Sequence, residues 1–256
     1  MSIQKIENTY NYFFSQYYDE LYHKNNYQLQ AKNLVTIFKK NGLSVKDKII
    51  DIGCGTGEHA LHIAQQGYHV YGIDPSSHMI KKAKEKTNTQ LNLSFNCGYI
   101  ESLSTSFQGA YSLFNVINCL DSLESLNNFL FHAGRILSKN ALFVIETWHT
   151  EQVLREIPVE KNDSILTKSG LIKRTVKPTT NTKDRTVLLD YNYMINNQHH
   201  NIIHHIKLFT KEELSQAFSC GGFSVEKIIS SLETCFHEGP FEPTSRYITY
   251  ILKKDS

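Results

Sequence analysis

The residues best placed to do chemistry lie between Lys48 and Asp74, where the chain reads KIIDIGCGTGEHALHIAQQGYHVYGID. Gly53, Gly55 and Gly57 alternate directly after the apolar run Ile49, Ile50 and Ile52. A helical pattern through Ala60, Leu61, Ile63 and Ala64 follows. Glycines in such a turn leave no Cβ between backbone and ligand. The helix start also offers free N–H groups to a negative group. Two ligand classes use this arrangement. A dinucleotide needs a third glycine at position 58, where Glu58 stands instead. A pyrophosphate would also be poorly placed beside that carboxylate. The spacing G-x-G-x-G suits a smaller ligand carrying a ribose and a carboxylate. Asp74 ends the second apolar run, Val70 to Ile73, and an ionised carboxylate there can accept from both ribose hydroxyls. Asp51, just before the turn, reinforces the pattern.

These groups need strands and helices to hold them. Residues 8–23, rich in Tyr10, Phe13, Phe14, Tyr17, Tyr18 and Tyr22, recur at helical spacing and predict one amphipathic helix. Its aromatic density suits either core packing or a lid over a pocket. A second helix is expected from Leu29 to about Lys40, with Asn41-Gly42 at its end. After Asp74 come a helix over 77–87, a strand at Leu91, Leu93 and Phe95, and a strand through Tyr111, Leu113, Phe114 and Val116. A helix through Leu126, Phe129, Leu130 and Ile136 and a fifth strand at 141–146 follow. Strands alternating with helices predict an α/β, doubly wound, mainly parallel Rossmann-like sheet. After Trp148, β-branched and aromatic runs between polar turns predict an antiparallel, β-rich insert that covers the crevice. Thr210 and Glu213 have the capping-box spacing for a late helix, and final strands are expected from Phe223 and over 246–253. The expected division is a helical cap at 1–44, a core at 45–150 plus 210–256, and the insert at 151–209.

Composition narrows the class. The chain has 256 residues, 40% hydrophobic and 20% charged, which fits a globular protein. A net charge of +2 gives no global argument for nucleic acid. No apolar run is long enough for a bilayer and the N-terminus has no signal core, so a cytoplasmic protein with no membrane partner is expected. Five cysteines without a CxxC pair argue against a disulfide framework or zinc site and for buried free thiols. On a strand, His200 and His204 share one face and His199 and His205 the other. With no cysteine or carboxylate among them, a polar sheet face over the pocket is favoured over a metal site. From Lys168 to Arg185 there are six basic residues and one acid. They form either a solvated sheet face or a phosphate contact through Arg174 and Arg185.

DIGCGTG followed by GIDPS resembles the class I S-adenosylmethionine-dependent methyltransferases. Tyr18-Asp19-Glu20-Leu21-Tyr22, Ser112-Leu113-Phe114-Asn115, Glu146-Thr147-Trp148 and HNIIHHIKLFTKEELSQAFSCGGF at 200–223 resemble the sugar-amine N-methyltransferases among them. The resemblance implies S-adenosyl-L-methionine as cofactor and methyl transfer to a small-molecule acceptor, with the amine of a nucleotide-linked amino sugar favoured. Another small amine or hydroxyl acceptor, or a cofactor-binding protein without turnover, are the rivals. Carried over, Gly53, Cys54 and Gly55 lie at the methionine end, Asp74 at the ribose, and Pro75, Met79 and Ile100 at the adenine, with Asp51 and Leu113 among the cofactor contacts. Tyr99 stands where the family usually has an acid for the adenine amino group.

Methyl transfer depends mainly on proximity and orientation, so a general base is not obligatory. His149, just beyond strand five, is either a base or substrate contact at the crevice or a surface residue. Glu146 either orients an amine or forms a structural salt bridge. Tyr17, Tyr18 and Tyr22 could surround the sulfonium, which makes Tyr18 a candidate on both the cofactor and the catalytic side. A symmetric homodimer is the default for a soluble oligomer. No Asn/Asp-Pro-Pro-Tyr tetrad for nucleic-acid bases is present.

Overall fold

A computed structural model of the chain describes residues 3–87, 90–232 and 244–255. It begins with three helices, α1 (Ile3–Thr9), α2 (Tyr12–Leu21) and α3 (Tyr27–Lys40). The single helix expected over 8–23 is therefore broken at Tyr10 and Asn11. The cause is a cap: Asn11 Oδ1 accepts from the Phe14 N–H at 3.0 Å and starts a new helix. The break frees Tyr10 to turn inward. Asn26 caps α3 in the same way, so the helix begins at Tyr27, two residues ahead of the expected start.

The glycine stretch forms β1 (Lys48–Ile52), α4 (Glu58–Ala64) and β2 (His69–Asp74). Then follow α5 (Ser77–Glu85), β3 (Leu93–Cys97), β4 (Phe107–Ser112), α6 (Leu123–Ile136) and β5 (Leu137–Trp148). After α7 (Thr150–Arg155) the strands β6 (Lys161–Thr167), β7 (Gly170–Asn181), β8 (Thr186–Ile195) and β9 (Gln198–Lys207) form a separate antiparallel sheet in chain order. The chain closes with α8 (Lys211–Cys220), β10 (Phe223–Ile229) and β11 (Tyr247–Lys254). Thr210 and Glu213 make the expected capping box at the start of α8.

The main sheet has the order β10-β11-β5-β4-β1-β2-β3. Only β11 runs against its neighbours. Alternate side chains of the strands go to opposite layers. Ile49 and Val70 pack with Leu34, Phe38, Ile63 and Ile80 of α3, α4 and α5. Ile50 and Ile52 pack with Leu130, Ala133, Leu214 and Phe218 of α6 and α8. Ile49 and Ile50 are fully buried, and each such side chain contributes roughly 2 kcal/mol from burial. Helices thus cover both faces, as a doubly wound sheet requires.

β4 differs from the expected strand. It ends at Ser112, so Leu113, Phe114 and Val116 lie beyond it. Phe114 and Asn115 have φ of 59° and 60°, which turns the chain sharply across the crevice. The cysteines also differ: Cys97 and Cys220 are exposed, Cys54 and Cys119 half-buried, none of the four in a disulfide, and Cys235 lies outside the described residues.

β1 and β4 are neighbours from which the chain proceeds in opposite directions, so their C-terminal ends bound the crevice where ligands of such sheets bind. Gly53, at φ 78°, forms the floor of this point. A Cβ there would lie 2.5 Å from Val116 Cγ2, on the β4 side. The Gly53 and Cys54 N–H groups both donate to the Ile73 carbonyl, at 2.8 and 3.1 Å, and fasten the turn to β2. Gly53→Ala should lower stability by about 2 kcal/mol or more, from the left-handed backbone and the clash together. Thermal melting checks this, and adding Val116→Ala should restore the steric part.

Candidate functional site

A cavity of about 290 Å³ opens at the ends of β1, β2 and β4. The core supplies Gly53, Gly55, Asp74, Pro75, Met79 and Ile100 to its wall, with Tyr99 at the rim. From the cap come Ile6, Tyr10 and Tyr18, and from the β4 loop Phe114, Val116 and Cys119. Glu101, Asn128 and Phe129 complete one end.

Asp74 is the polar centre of this wall. Its Oδ2 accepts from the Gly55 N–H at 3.0 Å, and its Oδ1 from the Ser76 N–H at 2.8 Å. Burial pushes its pKa up to about 6, while the two N–H groups pull it back. A carboxylate offers about four acceptor sites, so two remain for ribose hydroxyls. Gly55 has φ 53°, and a Cβ on it would meet nothing within 4 Å, so this side of the turn is open to the cavity.

Several expected contacts lie elsewhere. The Cys54 side chain turns back toward the sheet, and its Sγ lies close to Gly72. Asp51 is buried below the turn, where burial raises its pKa to about 8 against the pull of the Tyr111 phenol. Leu113 packs in the α3–α4 layer, because it points to the opposite face from Phe114. Tyr22 lies behind Tyr18, ring centroids 4.8 Å apart, and not on the cavity wall. Tyr17 packs on Phe13 at 5.1 Å.

His149 is neither at the cavity nor on the surface. It is 2% exposed, its Nδ1 hydrogen-bonds to the Ser245 carbonyl at 3.0 Å, and its Nε2 lies 3.5 Å from Glu151. Glu146 is buried and accepts from the Phe114 N–H at 3.2 Å, so it braces the sharp turn after β4. Arg174 pairs with Asp163 through two hydrogen bonds, and Arg185 pairs with Glu213. Both forks that could have met a phosphate are engaged by carboxylates.

Sequence reasoning missed Tyr10, Glu101 and Asn118. Tyr10 spans the cavity: its carbonyl accepts from Ser76 Oγ at 2.8 Å, and its hydroxyl lies 3.4 Å from Cys119 Sγ. The signal for it was Asn11, a good cap residue inside an apparent helix. Glu101 follows Tyr99 by two positions and accepts weakly from Asn128 Nδ2 at 3.5 Å. Asn118 is buried and makes three hydrogen bonds: Oδ1 accepts from Thr147 Oγ1 and the Trp148 N–H at 2.8 and 3.0 Å, and Nδ2 donates to the Lys207 carbonyl at 2.8 Å. It ties the β4 loop to β5 and β9.

The sequence model of a family described as a methyltransferase domain matches residues 17–228, most of the chain. The chain belongs to this methyltransferase family. It is 24% identical over 210 residues, 78% of each sequence, to a dTDP-3-amino-3,6-dideoxy-alpha-D-glucopyranose N,N-dimethyltransferase of Streptomyces fradiae. The chain spans less than half the length of the first curated relatives it matches, 42% and 44%. In fold, it is similar to an S-adenosylmethionine-dependent methyltransferase of Clostridium acetobutylicum, with TM-score 0.80, 16% identity, and coverage of 97% of this chain and 100% of that one. It is also similar to an S-adenosylmethionine-bound amino pentose methyltransferase of Micromonospora echinaspora, with TM-score 0.74, 16% identity, and coverage of 94% and 96%. The open glycine turn beside a hydrogen-bonded carboxylate fits a ligand with a ribose, such as the S-adenosylmethionine bound by the Micromonospora neighbour.

One network holds the methyltransferase's cap over this cavity. Thr56 Oγ1, in the glycine turn, donates to Asp19 Oδ1 of α2 at 2.5 Å. Lys86, just past α5, lies 2.6 Å from both Asp19 Oδ2 and Glu58 Oε1. The residue that excludes a dinucleotide, Glu58, is thus an anchor for the lysine that holds α2. Lys86→Ala should speed hydrogen exchange in residues 12–21 several-fold and leave β1 to β5 unchanged. For Asp74, the sign follows from its raised pKa. Cofactor affinity should hold above about pH 6 and fall below it, as the carboxylate takes up a proton and loses acceptor sites. Calorimetry from pH 8 to 5 checks this, with Asp74→Asn giving weaker and pH-independent binding.

Proposed function

We propose that this chain transfers the methyl group of S-adenosylmethionine to a small-molecule amine, with the amino group of a nucleotide-linked amino sugar as the favoured acceptor. The carrying observation is the cavity in which Asp74, the open side of Gly55 and the aromatic cap converge. The sugar amine is supported by the similarity to the Streptomyces fradiae dimethyltransferase over 78% of both sequences. Residues 1–44 act as the cap, 45–150 with 210–256 as the core, and 151–209 as the acceptor cover.

Bound there, the cofactor would supply an electrophilic methyl carbon: the lone pair of a neutral amine would form the N–C bond as the C–S bond breaks, the thioether would leave as S-adenosylhomocysteine, and the methylated ammonium would lose a proton to solvent. The chain's residues then do four things. Gly53 and Gly55 receive the methionine end, and Asp74 takes the ribose hydroxyls. Pro75, Met79 and Ile100 flank the adenine. Glu101, steadied by Asn128, takes the adenine amino group in place of the acid that Tyr99 displaced. Tyr18 and Tyr10 close over the sulfonium and exclude water, which favours the neutral amine by desolvation. Glu146 sets the β4 loop and so the path of the acceptor. His149 has no part in the reaction, and the paired Arg174 and Arg185 do not hold the phosphates.

The test is release of S-adenosylhomocysteine with dTDP-3-amino-3,6-dideoxy-α-D-glucopyranose, its 3-hydroxy counterpart and simple primary amines. Release is expected with amines and not with the hydroxyl compound. Calorimetric binding of S-adenosylmethionine without release on any amine would overturn the enzymatic reading.

A further inference from the structure

The cap over the cavity is held in two separate pieces. α2 is fastened to the glycine turn through Asp19, Thr56 and Lys86, and its Phe14 is fully buried. α1 is fastened elsewhere. It has seven residues, and a helix that short has no stability of its own in water, so its contacts alone keep it in place. Among its described side chains, Ile6 and Thr9 are buried, Glu7 is half-buried and Asn8 is exposed. Ile6 and the following Tyr10 form part of the cavity wall. Moving α1 aside would therefore open the cavity, while α2, the glycine turn and the insert keep their own attachments.

Polar contacts decide how firmly α1 sits. Glu7 Oε1 accepts from the Ser77 N–H at 3.1 Å, and its Oε2 lies 3.5 Å from His78 Nε2. Ser77 is the first residue of α5, so its N–H has no partner within its own helix, and a carboxylate there also meets the positive end of that helix. The side chains of Glu7 and His78 are 31% and 37% exposed, so water can replace this contact at little cost. Beyond α1, the helix breaks at Tyr10 and Asn11, and Asn11 starts α2 afresh. α1 can swing about that break without disturbing the hydrogen bonds of α2, as the ends of elements do in hinges. The contact also adjoins the ligand-binding carboxylate, since the Ser76 N–H holds Asp74 and the next N–H, of Ser77, holds Glu7.

We infer that α1 is a gate: it swings about Tyr10 and Asn11 to admit S-adenosylmethionine and release S-adenosylhomocysteine, and Glu7 on the start of α5 is the clasp that holds it shut. This inference rests on the cofactor site proposed above. Entry and exit both pass through the open state, so the strength of the clasp sets both rates and leaves their ratio nearly unchanged. A side chain that only lined the site would instead change the exit rate and the affinity together.

The experiment compares the unchanged chain with Glu7→Ala and Glu7→Gln, reading association and dissociation of S-adenosylmethionine and S-adenosylhomocysteine by surface plasmon resonance. Glu7 is not part of the cavity wall. Glu7→Ala should speed both association and dissociation about 3–10-fold, with Kd unchanged within about twofold. Glu7→Gln, whose Oε1 can still accept from Ser77, should fall between. Hydrogen exchange in residues 3–9 should be several-fold faster in Glu7→Ala, with residues 12–21 unchanged. Unchanged rates in folded Glu7→Ala, or faster dissociation alone with weaker affinity, overturn the gate and leave the cofactor site standing. Loss of the melting transition in both variants also overturns it, because α1 would then belong to the fold and could not move alone. If the unchanged chain binds neither compound, the cofactor reading falls and the gate with it.

Discussion

A carboxylate kept where water is scarce sets the terms for the rest of the structure. Burial pushes Asp74 toward its neutral form, and the backbone N–H groups of Gly55 and Ser76 draw it back toward the charged one. Both donors come from turns whose geometry depends on that bond. One belongs to the glycine turn after β1, and the other opens α5, whose cap Ser76 also holds the Tyr10 carbonyl. One desolvated charge thus aligns two strand ends, a helix start and the cap. Its hydrogen bonds are local, but the consequences reach the roof of the cavity.

The cap and the antiparallel sheet form a second layer over that centre. Aromatic rings from α2 interdigitate with Tyr191, Tyr193 and the inner isoleucines of the sheet. Ion pairs at Lys86 fix the near end of α2, and Thr9 Oγ1, which donates to the Ile203 carbonyl at 3.2 Å, ties the end of α1 to β9. The cap is therefore shared between the cavity and the antiparallel sheet. Tyr10 touches both. Packing of rings sets the shape of this space, and few charges enter it.

The cofactor half of the site was legible in the sequence because its determinants are local. The alternate glycines, Asp74 and the order of strands and helices all act within a few dozen residues. The surroundings of the cavity were not, because they depend on register and on strand ends. Ending β4 at Ser112 exchanges Leu113 for Phe114 at the cavity, since neighbouring side chains point to opposite faces. Arg174 lies directly opposite Asp163 in the β6–β7 register, a pairing that composition does not reveal. His149 is buried by Ser245 and Arg246, nearly a hundred residues later, whose backbone meets it at the end of β11. A helix break at Asn11 turned a presumed core tyrosine into a wall of the cavity.

The insert leaves the core at Thr150 and returns at Phe209, where Thr150 Oγ1 donates to the Phe209 carbonyl at 2.5 Å. A segment whose two ends already meet can change its length at little cost in chain closure. Strands could be lost, gained or exchanged there while β5 and α8 stay in place. Such a junction lets one lineage keep its main sheet unchanged while a single stretch of chain is replaced.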